Sequence, residues 1–346
     1  MQIGRRRVGV GQPCFIIAEA GVNHNGDVAL ARELVRVAAR AGADAVKFQT
    51  FRATQLATAE APKAGYQKAA GAPEETQQEM LRKLELSDAA HHELKALCAE
   101  LGIMFMSSPF DESCADFLHG LGVDALKVPS GEITNTPYLT HLARLGTPLI
   151  LSTGMATLEE VRVAVAAVAR GGRVPLALLH CVSNYPAAPA GCNLRAMATM
   201  QREFRVPVGF SDHTLGTDVA LGAVALGACI IEKHFTLDRS MSGPDHKASL
   251  DPQQLTDFVR SIRAVESALG DGVKLPLPSE AETAAVARKS VVAARDIAAG
   301  ATIEAEMLVC RRPGTGLAPS QMEKLVGRRA RVAIVAGSLL REEMIS

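Results

Sequence analysis

The sequence has no tryptophan, few aromatic residues and no net charge. Aromatic residues make up 4% of its 346 residues, and 37 Lys and Arg balance 37 Asp and Glu. Proteins that bind nucleic acids need aromatic surfaces on which bases stack, or basic surfaces that neutralise phosphates. The balanced charge also provides no field that would hold the chain on an anionic membrane. We therefore expect neither nucleic acid nor a membrane as a partner.

Long apolar runs and paired cysteines are missing as well. The most apolar stretch, 219–231, is too short to span a bilayer and contains glycines. The seven cysteines include no Cys-x-x-Cys pair, and such a scattered, odd-numbered set is typical of reduced thiols. The basic residues 5–7 precede no apolar segment, unlike those of a signal peptide. These absences predict a cytoplasmic protein.

Short β-rich apolar runs alternate with helical patterns along most of the chain. The candidate strands are 14–21, 45–50, 104–109, 125–130, 148–153, 176–181, 206–211 and 229–235. Helix signals lie between them: Asp27 and Gly42 bound the first helix, Thr157 and Glu160 form a capping-box pattern, and 252–269 is the eighth helix. Eight strand–helix units over about 250 residues predict an α/β fold, the (β/α)8 TIM barrel. The alternative is a doubly wound open sheet, but no glycine-rich dinucleotide turn follows the first strand.

The composition changes after the eighth helix. A Pro-rich stretch, KLPLPS at 274–279, is typical of a linker. We predict a barrel domain at 1–275, a linker at 276–287 and a small β-rich domain at 288–346. The candidate strands of the tail are 289–293, 302–312, 331–334 and 339–340. About 60 residues bury little core of their own, so we expect this domain to pack against a barrel of its own chain or of a partner.

Polar side chains collect at the C-terminal end of almost every candidate strand. They are Glu19, Lys47, Gln49, Ser107, Ser108, Lys127, Ser130, Ser152, His180, Ser183, Ser211, His213, Glu232 and His234. This end of a TIM barrel holds the active site. A charged residue inside an apolar strand must be paired or functional. The pattern therefore indicates an enzyme.

Two lysines in this set, Lys47 and Lys127, are point charges suited to a phosphate or a carboxylate. Hydroxyl groups end the neighbouring strands, at Ser108, Ser130 and Ser152. Together they predict a pocket for a small molecule with more than one negative charge. The alternative is structural, with each lysine paired to a buried acid such as Glu19 or Glu132.

Two histidines predict a metal site. His213 follows the seventh strand and His234 lies in the eighth, and adjacent strands are about 4.8 Å apart, so both rings can reach one ion. Coordination positions would stay open for water and substrate, as in a catalytic site. Glu19 could hold a metal-bound water. The alternative is a pair of core histidines with backbone partners, but Glu232 on the face of His234 favours the metal.

Other polar residues carry weaker signals. His91 and His92 lie in a charged helical segment, where we expect them to be solvated. His24 could line the site or cap the first helix. Asp245 lies in a long loop after the eighth strand and could form a polar rim for substrate. Arg312 precedes a Pro-Gly turn and could present its guanidinium to a carbonyl or carboxylate, although the tail alone favours a solvated turn.

Eight motifs follow one another at the strand ends, in the order AEAGVNHNG, AVKFQT, SSPFDE, LKVPSGE, LSTGMAT, FSDHTLG, EKHFTLD and GPDHKASL. The tail RKSVVAARDIAAG…RRPGTG follows them. Over nearly its whole length the chain resembles bacterial N-acetylneuraminate (sialic acid) synthases and their legionaminate and pseudaminate relatives. The tail resembles their SAF (antifreeze-like) domain.

The resemblance implies a specific reaction. Carbon 3 of phosphoenolpyruvate joins the aldehyde carbon of an open-chain, N-acylated mannose-like sugar, water attacks carbon 2, and phosphate leaves by C–O cleavage. It further implies a Mn²⁺ or Mg²⁺ cofactor. It also implies a domain-swapped homodimer in which the SAF domain of one chain caps the barrel of the other.

The resemblance also implies residue roles. The metal ligands would be His213 and His234, which with Glu19, Lys47 and Lys127 form the catalytic set. The groups that hold phosphoenolpyruvate would be Lys47, Lys127, Ser108, Ser130, Ser152 and Ser211. Substrate binding would further use Gln49, Ser183, Tyr185, Glu132, Asp245 and Arg312. Arg312 would come from the partner chain and contact the N-acetyl group of the sugar.

The identity of the sugar stays open at this point. Ser183 stands where several sialic acid synthases have Asn, and the Ser-Asn-Tyr-Pro segment also resembles legionaminate synthases. N-acetylmannosamine is the first expectation, and a 2,4-diacetamido-2,4,6-trideoxyhexose, giving legionaminate or pseudaminate, is the alternative. Two other readings are a catalytically silent sugar-binding protein and a phosphosugar aldolase or isomerase, which the barrel alone would permit.

Overall fold

The computed structural model of the protein describes residues 1–63 and 75–346. These residues form two compact units, Met1–Gly270 and Asp271–Ser346. The division falls just before the stretch that we predict to be a linker. In the part of the chain that the structure describes, no helix combines the length and the apolar character needed to cross a membrane.

The first unit begins with a hairpin that the sequence did not predict. Strand β1 (Gln2–Ile3) pairs antiparallel with β2 (Arg6–Arg7). Ile3 and Val8 are buried and pack with the apolar residues inside the N-terminal end of the following sheet. The hairpin therefore closes one end of that sheet.

The rest of the first unit is a closed barrel of eight parallel strands. They are β3 (Phe15–Gly21), β4 (Ala45–Thr50), β5 (Met104–Pro109), β6 (Leu126–Val128), β7 (Leu149–Ser152), β8 (Leu176–Cys181), β9 (Val208–Asp212) and β10 (Ile230–His234). Neighbours in the barrel follow chain order, and β10 closes it by pairing with β3. The predicted TIM barrel is confirmed, and the open sheet is excluded because β3 is paired on both sides.

Helices surround the barrel. They are α1 (Val28–Ala41), α2 (Ala53–Leu56), α3 (Gln77–Arg82), α4 (Asp88–Leu101), α5 (Glu112–Leu121), α6 (Thr136–Arg144), α7 (Leu158–Gly171), α8 (Ala196–Phe204), α9 (Asp218–Ala225) and α10 (Pro252–Leu269). The predicted caps are present. The Asp27 side chain accepts a hydrogen bond from the backbone N–H of Ala29, Gly42 ends α1 in the left-handed conformation, and Thr157 and Glu160 form a capping box. The short α2 and α3 lie in the long connection between β4 and α4.

The described residues of this unit form three clusters of buried apolar side chains, and two of them are layers of the barrel. The larger layer fills the space between the strands and the helices, as the alternation of side chains along each strand requires. The smaller one lies inside the N-terminal end of the barrel, and we call it the apolar plug. It consists of Ile3, Val8, Phe15, Ile17, Ala45, Met106, Ala125, Ile150, Ala177, Leu179, Cys229 and Ile230. The plug leaves only the C-terminal end of the barrel interior for polar groups.

The second unit is built around one antiparallel pair, β11 (Ser290–Ala293) with β12 (Leu308–Arg311). Its helices are α11 (Ala281–Ala287) and α12 (Met322–Leu325). Its buried residues include Val291, Ile303, Leu325, Ile334 and Leu340. The predicted strands at 331–334 and 339–340 were wrong as strands, because they pair only through isolated bridges.

Candidate active site

The C-terminal ends of the barrel strands surround a cavity of about 410 Å³, which we call the central cavity. Strand register aligns its charged groups: Glu19 lies opposite both Lys47 and His234, and Glu232 lies opposite Ser211. Residues two apart on a strand share a face, so Glu232 and His234 both enter the barrel.

Most of the residues predicted for the site line this cavity. They are Glu19, Lys47, Gln49, Ser108, Lys127, Ser130, Ser152, Ser183, Tyr185, Ser211, His213 and His234. They come from all eight strands or from the loops that follow them. Because the carboxyl ends of parallel barrel strands converge, residues far apart in sequence meet here.

Two lysines and two carboxylates form the charged centre of the cavity. Lys47 Nζ lies 2.7 Å from a carboxylate oxygen of Glu19 and donates a hydrogen bond to Ser108 Oγ at 2.9 Å. Glu232 lies between the lysines, 3.8 Å from Lys47 and 3.5 Å from Lys127, and accepts a hydrogen bond from Ser211 at 2.8 Å. Each lysine therefore has a buried acid beside it, as the structural alternative expects. Each also lines the cavity, where an anionic ligand could reach it, as the anion-binding prediction expects.

Burial and the neighbouring charges together shift the pKa values of the two carboxyl groups in opposite directions. Burial raises the pKa of Glu19 above its usual value, and Lys47 only partly offsets this. Burial also opposes the ionisation of Glu232, but Lys127 and Lys47 outweigh it and lower its pKa. The pKa of Lys127 is lowered by burial. Glu232 is therefore the ionised partner of the lysines, and Glu19 is the carboxyl that more readily carries a proton. Such a divergent pair suits acid–base chemistry.

The two histidines fit the expected metal site in their chemistry. Burial lowers the pKa of both rings, most strongly for His234, so both are neutral, which is the ligand form of imidazole. His213 Nδ1 donates to the Val182 carbonyl at 2.7 Å, which assigns the lone pair to Nε2. The ring centroids are 5.8 Å apart. Among the described residues His234 Nδ1 has no hydrogen-bond partner.

Protein ligands beyond this pair are not arranged for a metal. In residues 1–63 and 75–346, no group of three or more His, Cys, Asp and Glu side chains is placed to hold one ion. An ion held by this pair would take its other ligands from water and substrate, as in catalytic sites.

Three of the residues to which the resemblance gives a role do not line the central cavity. Asp245 is buried beside it, with its carboxylate 4.0 Å from His234 Nδ1, and burial raises its pKa to about 6. Glu132 instead accepts a hydrogen bond from Asn135 Nδ2 at 2.8 Å, at the start of α6. Arg312 belongs to the second unit, where it is exposed directly after β12.

Two further histidines, His24 and His91, are buried outside the central cavity. His91 is buried, which makes the expectation of a solvated ring wrong. Its Nε2 lies 2.8 Å from Thr50 Oγ1 and its Nδ1 lies 2.9 Å from the Ser87 carbonyl, because this side of α4 faces the barrel. His24 is also buried, and its Nδ1 accepts a hydrogen bond from the Gly26 N–H at 3.0 Å. Neither ring lines the central cavity.

Sequence reasoning gave Glu232 no role of its own, although it lies at the centre of the charge cluster. Its signal was present, since a carboxylate in an apolar strand two residues before His234 must enter the barrel. Leu56, Leu81 and Phe110 also line the cavity. The sequence did not mark them as site residues, because apolar residues in loops and short helices resemble ordinary core.

Comparisons with known proteins show the family of the chain. Residues 34–274 match the NeuB family and residues 288–346 match the SAF domain. The chain is 52% identical to the N,N'-diacetyllegionaminic acid synthase of Legionella pneumophila, over 97% of this chain and 96% of that protein. It is 46% identical to the protein of that name from Campylobacter jejuni, over 95% and 99%.

A solved structure shares the fold. The N-acetylneuraminic acid synthetase of Leptospira borgpetersenii superposes with a TM-score of 0.73 at 35% identity, over 82% of this chain and 94% of that one. The NeuB match lies within the barrel unit apart from its last residues, and the SAF match lies within the second unit. A SAF domain follows the barrel along the chain. The protein belongs to the NeuB family of sialic-acid-type synthases.

Proposed function

We propose that the protein is an N,N'-diacetyllegionaminate synthase, which condenses phosphoenolpyruvate with 2,4-diacetamido-2,4,6-trideoxymannose. The observation that carries this choice is the gradient of identity, from 52% and 46% for two legionaminic acid synthases to 35% for the sialic acid synthetase. N-acetylmannosamine, the first expectation from the sequence, becomes the alternative substrate.

The cavity supports phosphoenolpyruvate as the first substrate. Its phosphate and carboxylate need two cationic contacts, and Lys47 and Lys127 supply them from the same wall of the barrel. Hydroxyl donors surround the lysines, at Ser108, Ser130, Ser152 and Ser211. Fixed donors of this kind hold the enol phosphate in one orientation for attack, which makes the reaction effectively intramolecular.

The condensation forms a bond between carbon 3 of phosphoenolpyruvate and the sugar aldehyde carbon. The aldehyde oxygen gains a proton, a water oxygen adds to carbon 2, and the bond from carbon 2 to the phosphate oxygen breaks. Glu19, whose pKa burial raises, is suited to hold or release the proton at the aldehyde oxygen. Glu232 lies within 4 Å of both lysines and can offset their charge in the absence of substrate.

We assign the Mn²⁺ or Mg²⁺ site to His213 and His234. The ion would supply a Lewis acid for the aldehyde oxygen. Binding of Mn²⁺, followed by calorimetry, should be lost in His234→Ala and retained in His91→Ala, whose ring is buried elsewhere. Unchanged Mn²⁺ binding by His234→Ala would remove that residue from the ligand set.

A homodimer in which the partner's Arg312 contacts the sugar is a further part of the proposal. Mixing a Lys47→Met chain with an Arg312→Ala chain should then restore activity, because a hybrid dimer contains one barrel with intact Lys47 and a cap with intact Arg312. No recovery after mixing and refolding would favour a chain that works without its partner's SAF domain.

The sugar is tested by phosphate release from phosphoenolpyruvate in the presence of Mn²⁺. We expect a higher kcat/KM with 2,4-diacetamido-2,4,6-trideoxymannose than with N-acetylmannosamine. The reverse preference would make the protein a sialic acid synthase. No phosphate release with either sugar, together with binding of the sugar, would favour the catalytically silent binder.

A further inference from the structure

A second, smaller cavity adjoins the central cavity, and we call it the side chamber. It has a volume of about 90 Å³. Its apolar wall includes Val22, Met80, Leu81 and Leu84, and its polar groups belong to Gln49, Tyr185, His234 and Asp245. Its size suits one substituent of a sugar rather than a whole sugar.

The two cavities share part of their lining. Gln49, Leu81, Tyr185 and His234 line both of them. The side chamber therefore lies within reach of one substituent of a substrate held in the central cavity. His234, at the border, is also the residue that we assign to the reacting end of the sugar.

The wall is apolar and largely buried. Val22, Met80, Leu81 and Leu84 are between 4% and 9% exposed and belong to one apolar cluster with Phe51. A hydroxyl group placed against these four side chains loses its water partners and gains none from them. A methyl group placed there loses nothing and removes apolar surface from water.

We propose that the side chamber binds a methyl-bearing substituent of the sugar and so selects against a hydroxyl at that position. The inference rests on the proposed function and supplies a physical basis for its sugar preference. The trideoxy sugar differs from N-acetylmannosamine at carbons 4 and 6, and in each case a substituent that ends in a hydroxyl is replaced by one that ends in a methyl. The polar groups of Gln49 and Asp245 can meet the amide of an acetamido group whose methyl contacts the wall.

Four sugars distinguish the two positions. They are N-acetylmannosamine, its 6-deoxy derivative, its 4-acetamido-4-deoxy derivative, and the trideoxy sugar that carries both changes. The measurement is kcat/KM by phosphate release with phosphoenolpyruvate and Mn²⁺. An apolar pocket discriminates a methyl from a hydroxyl by roughly 100-fold. The single-change sugar that recovers most of this ratio identifies the substituent in the chamber.

Met80→Gln tests the wall with little change of shape. Met80 lines the side chamber but not the central cavity, and glutamine has a similar unbranched side chain. We expect the preference for the methyl-bearing sugar to fall about tenfold. Val22→Thr, which replaces one methyl by a hydroxyl, should lower it in the same direction and serves if Met80→Gln does not fold. Met80→Leu keeps the wall apolar and should retain the wild-type ratio.

Met197→Gln is the matched control, because Met197 is an equally buried helical methionine that lines neither cavity. It should lower the melting temperature and leave the sugar ratio unchanged. An unchanged ratio in both Met80→Gln and Val22→Thr would overturn the role of the chamber.

The wild-type ratio reports separately on the proposed function. If the wild type prefers N-acetylmannosamine, and the variants lower the relative rate of the methyl-bearing sugars further, the legionaminate assignment fails while the chamber keeps its role. If the wild type prefers the trideoxy sugar and the variants change nothing, the assignment stands and the chamber does not.

Discussion

The two ends of the barrel interior differ in chemistry although the same strands build both. Pairs of residues two apart on one strand show the change: Ile17 and Glu19, Ala45 and Lys47, Ala125 and Lys127, Ile150 and Ser152, Ile230 and Glu232. Two residues advance a strand by roughly 7 Å. Within that distance the interior changes from an apolar plug to a cavity lined by charged side chains.

Cavity size does not separate the two ends. A cavity of about 600 Å³ lies at the N-terminal end, next to Pro13, Cys14 and Cys229, and neither lysine nor histidine lines it. The central cavity is smaller but gathers two lysines, two carboxylates and two histidines. The plug fills one end of the barrel with packed apolar side chains. At the other end the buried charges lie within 4 Å of one another, so each has a partner of opposite sign.

The largest expected effect is that of Lys47→Met. It leaves Glu19 buried without its cation, so we expect the free energy of unfolding to fall by about 3–5 kcal/mol. Loss of a cation at the charged substrate should lower kcat/KM for phosphoenolpyruvate by roughly 10²–10³-fold. Urea unfolding and phosphate release measure the two effects.

Lys233→Met is the matched control for Lys47→Met. Lys233 is equally buried, and its Nζ donates to Asp212 at 2.7 Å and to the Thr214 carbonyl at 2.8 Å, but it does not line the central cavity. It should lower stability to a similar extent and affect turnover far less. Equal losses of turnover in the two variants would show that the lysines act through stability alone.

A pair of substitutions on β7 sharpens the contrast between the two ends. Ile150→Ala, in the plug, should cost about 2–5 kcal/mol of stability, because it leaves a cavity in packed core. Its KM for phosphoenolpyruvate should stay near that of the wild type. Ser152→Ala, one position further along the same face, should raise that KM about tenfold with little loss of stability. A large KM change in Ile150→Ala would mean that the plug shapes the site directly.

The smallest expected effect concerns the backbone where β3 leaves the barrel. Gly21 has a φ of +53°, and a Cβ there would lie 3.2 Å from a Glu19 oxygen. Gly102 has a φ of +71° with nothing near a Cβ. Replacement of either by Ala should cost about 1–2 kcal/mol. Only Gly21→Ala should also lower kcat/KM, and equal activity of the two variants would show that Glu19 tolerates the added methyl.

Much of the fold was predictable because its signals are local. Each strand is a short apolar run, and caps such as Asp27 and Thr157 mark the helices between them. Polar residues at the strand ends gave most of the site, since parallel barrel strands bring those ends together. The hairpin of β1 and β2 was missed because two-residue strands leave no periodic pattern.

The sequence by itself determined the barrel, the position of its polar end and the family to which the protein belongs. Tertiary structure alone decided which groups meet: Glu232 between Lys47 and Lys127, Glu132 turned to Asn135, and Met80 in the wall of a chamber. The physical reason is that periodicity reports which face a residue occupies. The neighbours on that face come from other strands and loops, and only closure of the barrel brings them within bonding distance.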